Sequence, residues 1–246
     1  MNILFLLLLF IPTVSYSAET EPKDTIVIDT YQEDLTGDGD NEKIELKGIL
    51  FSQDAQYYQN IWTEISSASG PNWSINYGGG YDPQLQFIDL NHDKVKDIFY
   101  QSPTGGSGGL YSYNLQTLAK GDLKELELPK QHYVKGMFED NFIVSIDFVP
   151  EGQPDLVDVR DRADDYIRLG IYDKSGALLK SPSLMIDPIA FFEPVKISTS
   201  KGYGLKSYQQ ISGAYHADRL GSIKTIWYYE NEKWLILKTE WIPARL

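Results

Sequence analysis

Acidic residues recur at every fourth position in three short segments of the sequence. We number these segments loop one (residues 34–42), loop two (residues 89–97) and loop three (residues 147–155). In each loop the first, fifth and ninth residues are Asp or Glu, and the second is apolar. The loops begin 55 and then 58 residues apart, and recurrence at such a period indicates a repeat architecture.

This spacing suits a calcium ion. Calcium takes about six to eight oxygen ligands, and side chains at alternate positions of a tight loop converge on one point. Gly39 at position 6 of loop one permits the sharp turn that such a loop needs, and Lys94 replaces it in loop two. The expected ligands are Asp34, Thr36, Asp38, the carbonyl of Asp40 and Glu42 in loop one, and Asp89, Asn91, Asp93, the carbonyl of Val95 and Asp97 in loop two. In loop three, Val149 at position 3 supplies no side-chain oxygen, so we expect weak binding or none.

The loops do not fit the EF-hand pattern. That pattern requires a Glu at position 12, which Glu45 supplies in loop one, but Tyr100 occupies this position in loop two. The residues after loop one alternate between apolar and polar types from Ile44 to Lys47, and this period of two predicts a strand. We therefore expect calcium loops inside β-hairpins, with Glu45 directed to solvent.

The three loops resemble FG-GAP or VCBS-type repeats, the blade units of integrin-like β-propellers. The resemblance covers residues 24–190 and departs from the family pattern at Thr36, Lys94 and Val149. It implies that each acidic loop joins the first two strands of a four-stranded blade and holds calcium. Because members of such families have unrelated functions, the resemblance implies a fold and a metal but no activity.

The strand pattern predicts an all-β protein made of repeated four-stranded units. The expected units are residues 24–78, 79–136, 137–190 and 191–246, within a single domain spanning residues 18–246. In the third unit, Tyr166–Tyr172 is predicted as a strand. A propeller-like ring accounts for the period and the length, and a β-sandwich built from the same hairpins is the alternative.

Composition excludes several classes of protein. The chain of 246 residues contains no Cys, which excludes disulfides, iron–sulfur ligation and thiol catalysis. Its three histidines have no metal-ligand spacing, which argues against a histidine-built zinc site. A formal net charge of −13 disfavours binding to nucleic acid or to anionic lipid.

The N-terminus has the features of a signal peptide. Residues 1–17 carry no charged side chain, and an apolar run is followed by small residues suitable for cleavage after Ser17. The run is shorter than the roughly 20 residues that span a bilayer, so we expect no transmembrane anchor after cleavage. The sequence thus predicts a secreted protein, periplasmic or extracellular.

Other segments allow alternative chemistry. Residues 105–109 match G-x-S-x-G, so Ser107 with His132 or His216 could form a nucleophilic site, but the following strand pattern favours a glycine-rich connector. Acids between residues 158 and 165 could serve a glycosidase, although interleaved arginines favour a solvated charged loop. Aromatic residues make up 13% of the chain and could form a sugar- or peptide-binding platform, or simply pack across strands.

Two functions remain open from the sequence. The first is a secreted module with structural calcium that binds a protein or a glycan, or serves in the cell envelope. The second is an extracellular hydrolase on the same scaffold. We favour the first because, beyond the motif match at Ser107, the sequence offers no set of acid, base and nucleophile for a hydrolase.

Overall fold

The computed structural model describes residues 24–68, 70–106, 108–130, 134–148 and 153–244. The expected signal peptide lies outside these ranges. The described residues form fifteen β-strands and one short α-helix, and the strands are arranged in four antiparallel sheets.

In each sheet, strands that follow one another in the chain pair side by side. The first sheet contains β1 (Ile26–Glu33), β2 (Glu42–Leu50), β3 (Tyr57–Ser66) and β4 (Asn72–Tyr81). The second contains β5 (Gln84–Ile88), β6 (Asp97–Pro103), β7 (Tyr111–Thr117) and β8 (Lys124–Glu125). The third contains β9 (Lys135–Glu139), β10 (Ile143–Asp147) and β11 (Asp155–Asp158). The fourth contains β12 (Met185–Ser198), β13 (Gly202–Ser212), β14 (Arg219–Glu230) and β15 (Lys233–Pro243).

The acidic loops connect paired strands, as the spacing predicts. Loop one joins β1 to β2, where Glu33 pairs with Glu42, and loop two joins β5 to β6, where Ile88 pairs with Asp97. Each hairpin ladder therefore ends where its acidic loop begins. Loop three joins β10 to β11, but its residues 149–152 lie outside the described ranges.

In β2, the strand after loop one, the alternation of apolar and polar residues from Ile44 matches an alternation of buried and more exposed side chains as far as Leu46. Ile44 and Leu46 of β2 are buried, and Glu45 forms ion pairs with Lys43 and Lys47 at 2.5 and 3.5 Å. Lys47 breaks the alternation because it too is buried, with its Nζ 2.8 Å from Glu64 Oε2. A buried ammonium group needs such a carboxylate partner.

Three hydrophobic clusters connect the sheets. The first joins the first and second sheets through Ile44, Leu46, Ile61, Ile65, Leu85, Ile98 and Tyr100. The second joins the second and fourth sheets through Phe99, Leu115, Phe192, Leu205 and Trp227. The third joins the third and fourth sheets through Phe138, Val144, Ile146, Ile211, Leu220 and Ile223. The packing order through these clusters is therefore first, second, fourth and third sheet.

One segment that was predicted as a strand is helical. Within Tyr166–Tyr172, the first residues belong to α1 (Ala163–Arg168). Two acidic residues in the first turn of α1 and Arg168 in its last turn suit the helix dipole, and Gly170 with φ of 65° provides the left-handed ending. The side chain of Tyr166 is fully buried and joins the third cluster.

The structure confirms the predicted all-β class with repeated antiparallel units. The sheets begin at residues 26, 84, 135 and 185, against expected unit starts of 24, 79, 137 and 191. The third sheet has three strands, and Tyr166–Tyr172, which was expected as the third strand of this unit, is not one of them because it begins as a helix. The stacking of the sheets through the three clusters is compatible with the sandwich alternative.

Candidate metal site in two acidic loops

The first carboxylate of each loop is held by the backbone of its own loop. Asp34 accepts hydrogen bonds from the amides of Gly37 and Gly39, at 2.7 and 3.0 Å. In loop two, Asp89 accepts from the amides of His92 and Lys94, at 2.7 and 3.1 Å. In both loops these donors occupy positions 4 and 6, so the two loops follow the same path.

Backbone angles support this equivalence. Gly37 and Gly39 have φ of 77° and 96°, and His92 and Lys94 at the same positions of loop two have φ of 66° and 76°. A left-handed conformation is strained for residues with a Cβ. Loop two therefore retains, without glycine, the turn that glycine makes easy in loop one.

The carboxylate at position 9 points back into each loop. Glu42 Oε2 accepts from the amides of Leu35 and Thr36, at 2.8 and 3.3 Å. Asp97 Oδ2 accepts in the same way from the amides at positions 2 and 3 of loop two, at 2.8 and 3.0 Å. Glu42 is 1% exposed and Asp97 is fully buried, so both acids belong to the interior of their loops.

The remaining predicted ligands lie within the same loops. Asp38 and Asp93 at position 5 accept from the amides of Asp40 and Val95 at position 7, each at 2.9 Å. At position 3, the hydroxyl of Thr36 lies 3.4 Å from Glu42 Oε1. The position 3 residue of loop two, an asparagine, donates from its amide to Asp93 Oδ2 at 3.1 Å.

Loop two contains a buried carboxylate oxygen that lacks a hydrogen bond of normal geometry. Among the described residues, Asp97 Oδ1 has no hydrogen-bond partner of normal geometry, although the carboxyl lies beside the Thr117 hydroxyl. Burial raises the pKa of Asp97 to about 7, against the lowering effect of the amides of Leu90 and Asn91. A cation near this oxygen would remove much of that desolvation penalty.

The pKa of Asp97 predicts a pH dependence in metal-depleted buffer. Because the folded-state pKa, about 7, exceeds the unfolded value of about 3.9, the folded state binds this proton more tightly. The contribution of this bound proton to the unfolding free energy is complete below about pH 4 and is lost as the pH rises through about 7. The unfolding free energy of wild type minus that of Asp97→Asn should therefore fall across this window in urea titrations. If this difference stays constant or rises with pH, the conclusion that Asp97 is buried with a raised pKa and without a cation is wrong.

The two loops touch each other at the junction of the first and second sheets. A Cβ on Gly37 would lie 2.7 Å from Val95 Cγ2, and Lys96 Nζ pairs with Glu33 Oε2 at 2.5 Å. The carbonyl of Thr36 accepts a hydrogen bond of 2.8 Å from the amide of Lys120, in the turn between β7 and β8. The loops therefore form part of the contact between these sheets.

Loop two also contacts the fourth sheet. The His92 ring stacks on Tyr228 of β14 with a centroid distance of 4.5 Å, and Lys201 Nζ lies 4.4 Å from the centroid of the same Tyr228 ring. The conformation of loop two is thus coupled to the position of β14.

The acidic side chains do not converge into a closed cage. Within the ranges that the structure describes, no group of three or more His, Cys, Asp or Glu side chains is placed to hold a metal ion. The reason is visible in the hydrogen bonds above, because the carboxylates at positions 1, 5 and 9 face backbone amides. Each carboxylate oxygen has a further lone pair, and the position 5 carboxylates are exposed. Cation binding thus requires the exposed side chains to turn inward.

The residues of the nucleophilic alternative are only partly described. Ser107 and His132 lie outside the described residues, and the glycine-rich segment connects β6 to β7. His216 lies 3.4 Å from Asp187, and its sequence neighbour Asp218 points elsewhere. Part of the mixed-charge segment forms exposed ion pairs, for example between Arg168 and Asp165 at 2.8 Å, but Arg162 pairs with the buried Asp218.

Sequence reasoning missed a buried charged network. Asp218 Oδ2 accepts hydrogen bonds from the Tyr166 hydroxyl and from the amide of Ala214, at 2.6 and 2.9 Å. Arg162 Nε lies 3.4 Å from the other carboxylate oxygen. Tyr166 and Asp218 are 52 residues apart, and no local pattern links them.

These observations define an all-β protein of stacked antiparallel meander sheets in which two matched acidic loops lie side by side. Comparison with known sequences shows what it is similar to. Residues 132–242 match the family described as "YybI C-terminal domain". The chain is also 24% identical over 213 residues to "Uncharacterized protein YybI" of Bacillus subtilis (strain 168). This alignment covers 82% of this chain and 79% of that protein. No solved structure matches it significantly.

The assignment of the loops to the FG-GAP or VCBS repeat family is wrong. The family that matches is the YybI C-terminal domain, the curated relative is YybI, and no FG-GAP or VCBS family matches the chain. The matched region starts after loops one and two, so the calcium hypothesis rests on the residues of the loops themselves. Among the described residues, no helix has both the length and the apolar character needed to cross a membrane.

Proposed function

We propose that loops one and two each bind one calcium ion and that the ions stabilise an exported β-sheet protein that acts as a binding module. The ligands are those at positions 1, 3, 5 and 9, with the carbonyl at position 7. In loop one they are Asp34, Thr36, Asp38, the carbonyl of Asp40 and Glu42, and in loop two Asp89, Asn91, Asp93, the carbonyl of Val95 and Asp97.

The single observation that carries the proposal is the buried oxygen of Asp97. A carboxylate that is fully buried, with one oxygen that lacks a hydrogen bond of normal geometry, is costly unless a cation or a proton neutralises it. The same loop carries oxygen-bearing side chains at positions 1, 3 and 5, and calcium prefers such ligands.

The matched geometry of the loops gives further support. Two segments 55 residues apart in the chain have the same amide donors on their first and last carboxylates, and the same positions have positive φ. Retaining this path in loop two with strained His92 and Lys94 argues for a functional constraint on the loop shape.

Calcium in this position would act on the fold. The loops lie where the first and second sheets meet, and loop two supports β14 through His92 and Tyr228. A divalent ion would offset the repulsion among the clustered acids and fix both contacts. Export, which we propose from the composition of residues 1–17, would place the loops where calcium is plentiful enough for modest sites. The hydrolase alternative depends on Ser107, outside the described residues, and gains no support.

Limited proteolysis tests the stabilising role. Calcium removal should loosen the loop backbones, because the buried Asp97 carboxylate and the nearby Asp93 then carry charge that no cation offsets. We expect the first cuts in chelator to fall in residues 34–42 or 89–97, identified by mass spectrometry, and calcium to suppress them. First cuts in the β14–β15 hairpin, or cuts that calcium does not change, would contradict the proposal.

A further inference from the structure

An open cleft lies between the second and fourth sheets. One wall is the segment of residues 124–130, which leaves the second sheet, and the other wall is the end of the β14–β15 hairpin. Its volume is about 620 Å3. Sites for small molecules typically enclose about 300–1,000 Å3, so the cleft is large enough for a ligand.

Aromatic rings line this cleft in fixed positions. Trp227 lines the cleft and is 4% exposed. The rings of Tyr229 and Trp234 are half-buried, with centroids 5.2 Å apart and an interplanar angle of 68°. The indole nitrogen of Trp234 donates to the carbonyl of Glu127 at 2.7 Å, which ties the ring to the opposite wall. The rings therefore present a preformed apolar surface rather than a mobile one.

The charged groups around the rings balance one another. The lining contains three Lys and three Glu residues, so its formal charge is zero in a chain whose net charge is −13. Among the described residues, Glu125, Glu232 and Lys233 form no ion pair. Both hydrogen-bond donors and acceptors are thus available beside the aromatic surface.

We propose that this cleft binds a neutral carbohydrate chain. A sugar ring presents apolar C–H groups on its faces, which suit Trp234 and Tyr229, and hydroxyl groups at its edge, which both donate and accept hydrogen bonds. A balanced set of carboxylates and amines suits these hydroxyls, whereas a polyanion would require net positive charge. The inference deepens the proposed binding function by naming the ligand class, but it uses none of the predicted calcium ligands.

Isothermal titration calorimetry on the full chain tests the inference. The probes are β-1,4-linked tetramers of glucose and of N-acetylglucosamine, and an uncharged peptide of similar size. We expect at least one tetramer to bind and the peptide not to bind. Trp234→Ala should weaken tetramer binding about tenfold or more, equivalent to about 1.4 kcal/mol or more. Trp234→Phe, which keeps a flat ring, should weaken it much less.

Tyr203→Ala is the matched control, because Tyr203 is an exposed aromatic residue of the same sheet outside the cleft. It should bind the tetramer like wild type. Thermal melts of each variant verify folding. No tetramer binding by wild type, preference for the peptide, or equal affinity of Trp234→Ala and wild type would overturn the inference. The calcium response of wild type separates the two proposals. If calcium stabilises the protein but no sugar binds, only the proposal about the cleft is wrong.

Discussion

Substitution of Asp218 by alanine is expected to destabilise the protein by about 3–5 kcal/mol. The carboxylate satisfies the buried Tyr166 hydroxyl and the amide of Ala214, and it lies beside the guanidinium of Arg162, which is 20% exposed. Its removal leaves the buried Tyr166 hydroxyl and the partly buried Ala214 amide without this acceptor, and it leaves the largely buried Arg162 with only the longer contact to Asp161 at 3.9 Å. Urea unfolding of the full chain measures the change.

Two variants calibrate this prediction. Tyr166→Phe removes one hydrogen bond to the carboxylate and should cost about 1.5–3 kcal/mol. Asp161→Ala removes a carboxylate that is 35% exposed and lies 3.9 Å from the same arginine, and it should cost about 0–1 kcal/mol. If Asp218→Ala is as mild as Asp161→Ala, the network does not stabilise the third and fourth sheets as described.

Calcium is expected to raise the melting temperature of the wild-type chain. Mass action gives about 2.7 kcal/mol of stabilisation for each site at a calcium concentration of 100 times its Kd. For a chain of this size, 1 kcal/mol corresponds to about 2–4 °C. Asp34→Ala combined with Asp89→Ala should abolish most of the rise, because each loop loses its position 1 carboxylate.

Asp40→Ala is the control for this experiment. Asp40 is exposed and contributes only its carbonyl to the predicted ligand set, so its substitution removes an acidic charge from loop one and keeps the ligands. It should retain the calcium-dependent rise. An equal rise in the Asp34→Ala, Asp89→Ala double variant would place calcium binding elsewhere or make it nonspecific.

Local sequence patterns predicted the loops and their hairpins well. The acid spacing located the turns, and the alternation after Ile44 identified β2, because both features are set by residues close together in the chain. The short acidic motif was a poor guide to family. A loop of nine residues reports local geometry, and unrelated proteins can share it.

Features formed by distant segments could not be predicted. The aromatic cleft joins residues 124–130 to the β14–β15 hairpin, and the stacking of His92 on Tyr228 joins loop two to the same strand. Tyr166–Tyr172 was predicted as a strand, but its first residues belong to a helix. Its helix instead depends on the charges of one turn and on Gly170, with burial against the sheets deciding between the two.

Direct measurement of calcium binding tests the central claim most sharply. Isothermal titration of the metal-depleted full chain with calcium chloride should give two ions bound per chain. Asp89→Ala combined with Asp93→Ala should reduce this to one, since loop one remains intact. No binding by the wild-type chain, or two ions bound by this folded variant, would contradict the assignment of calcium to the two loops.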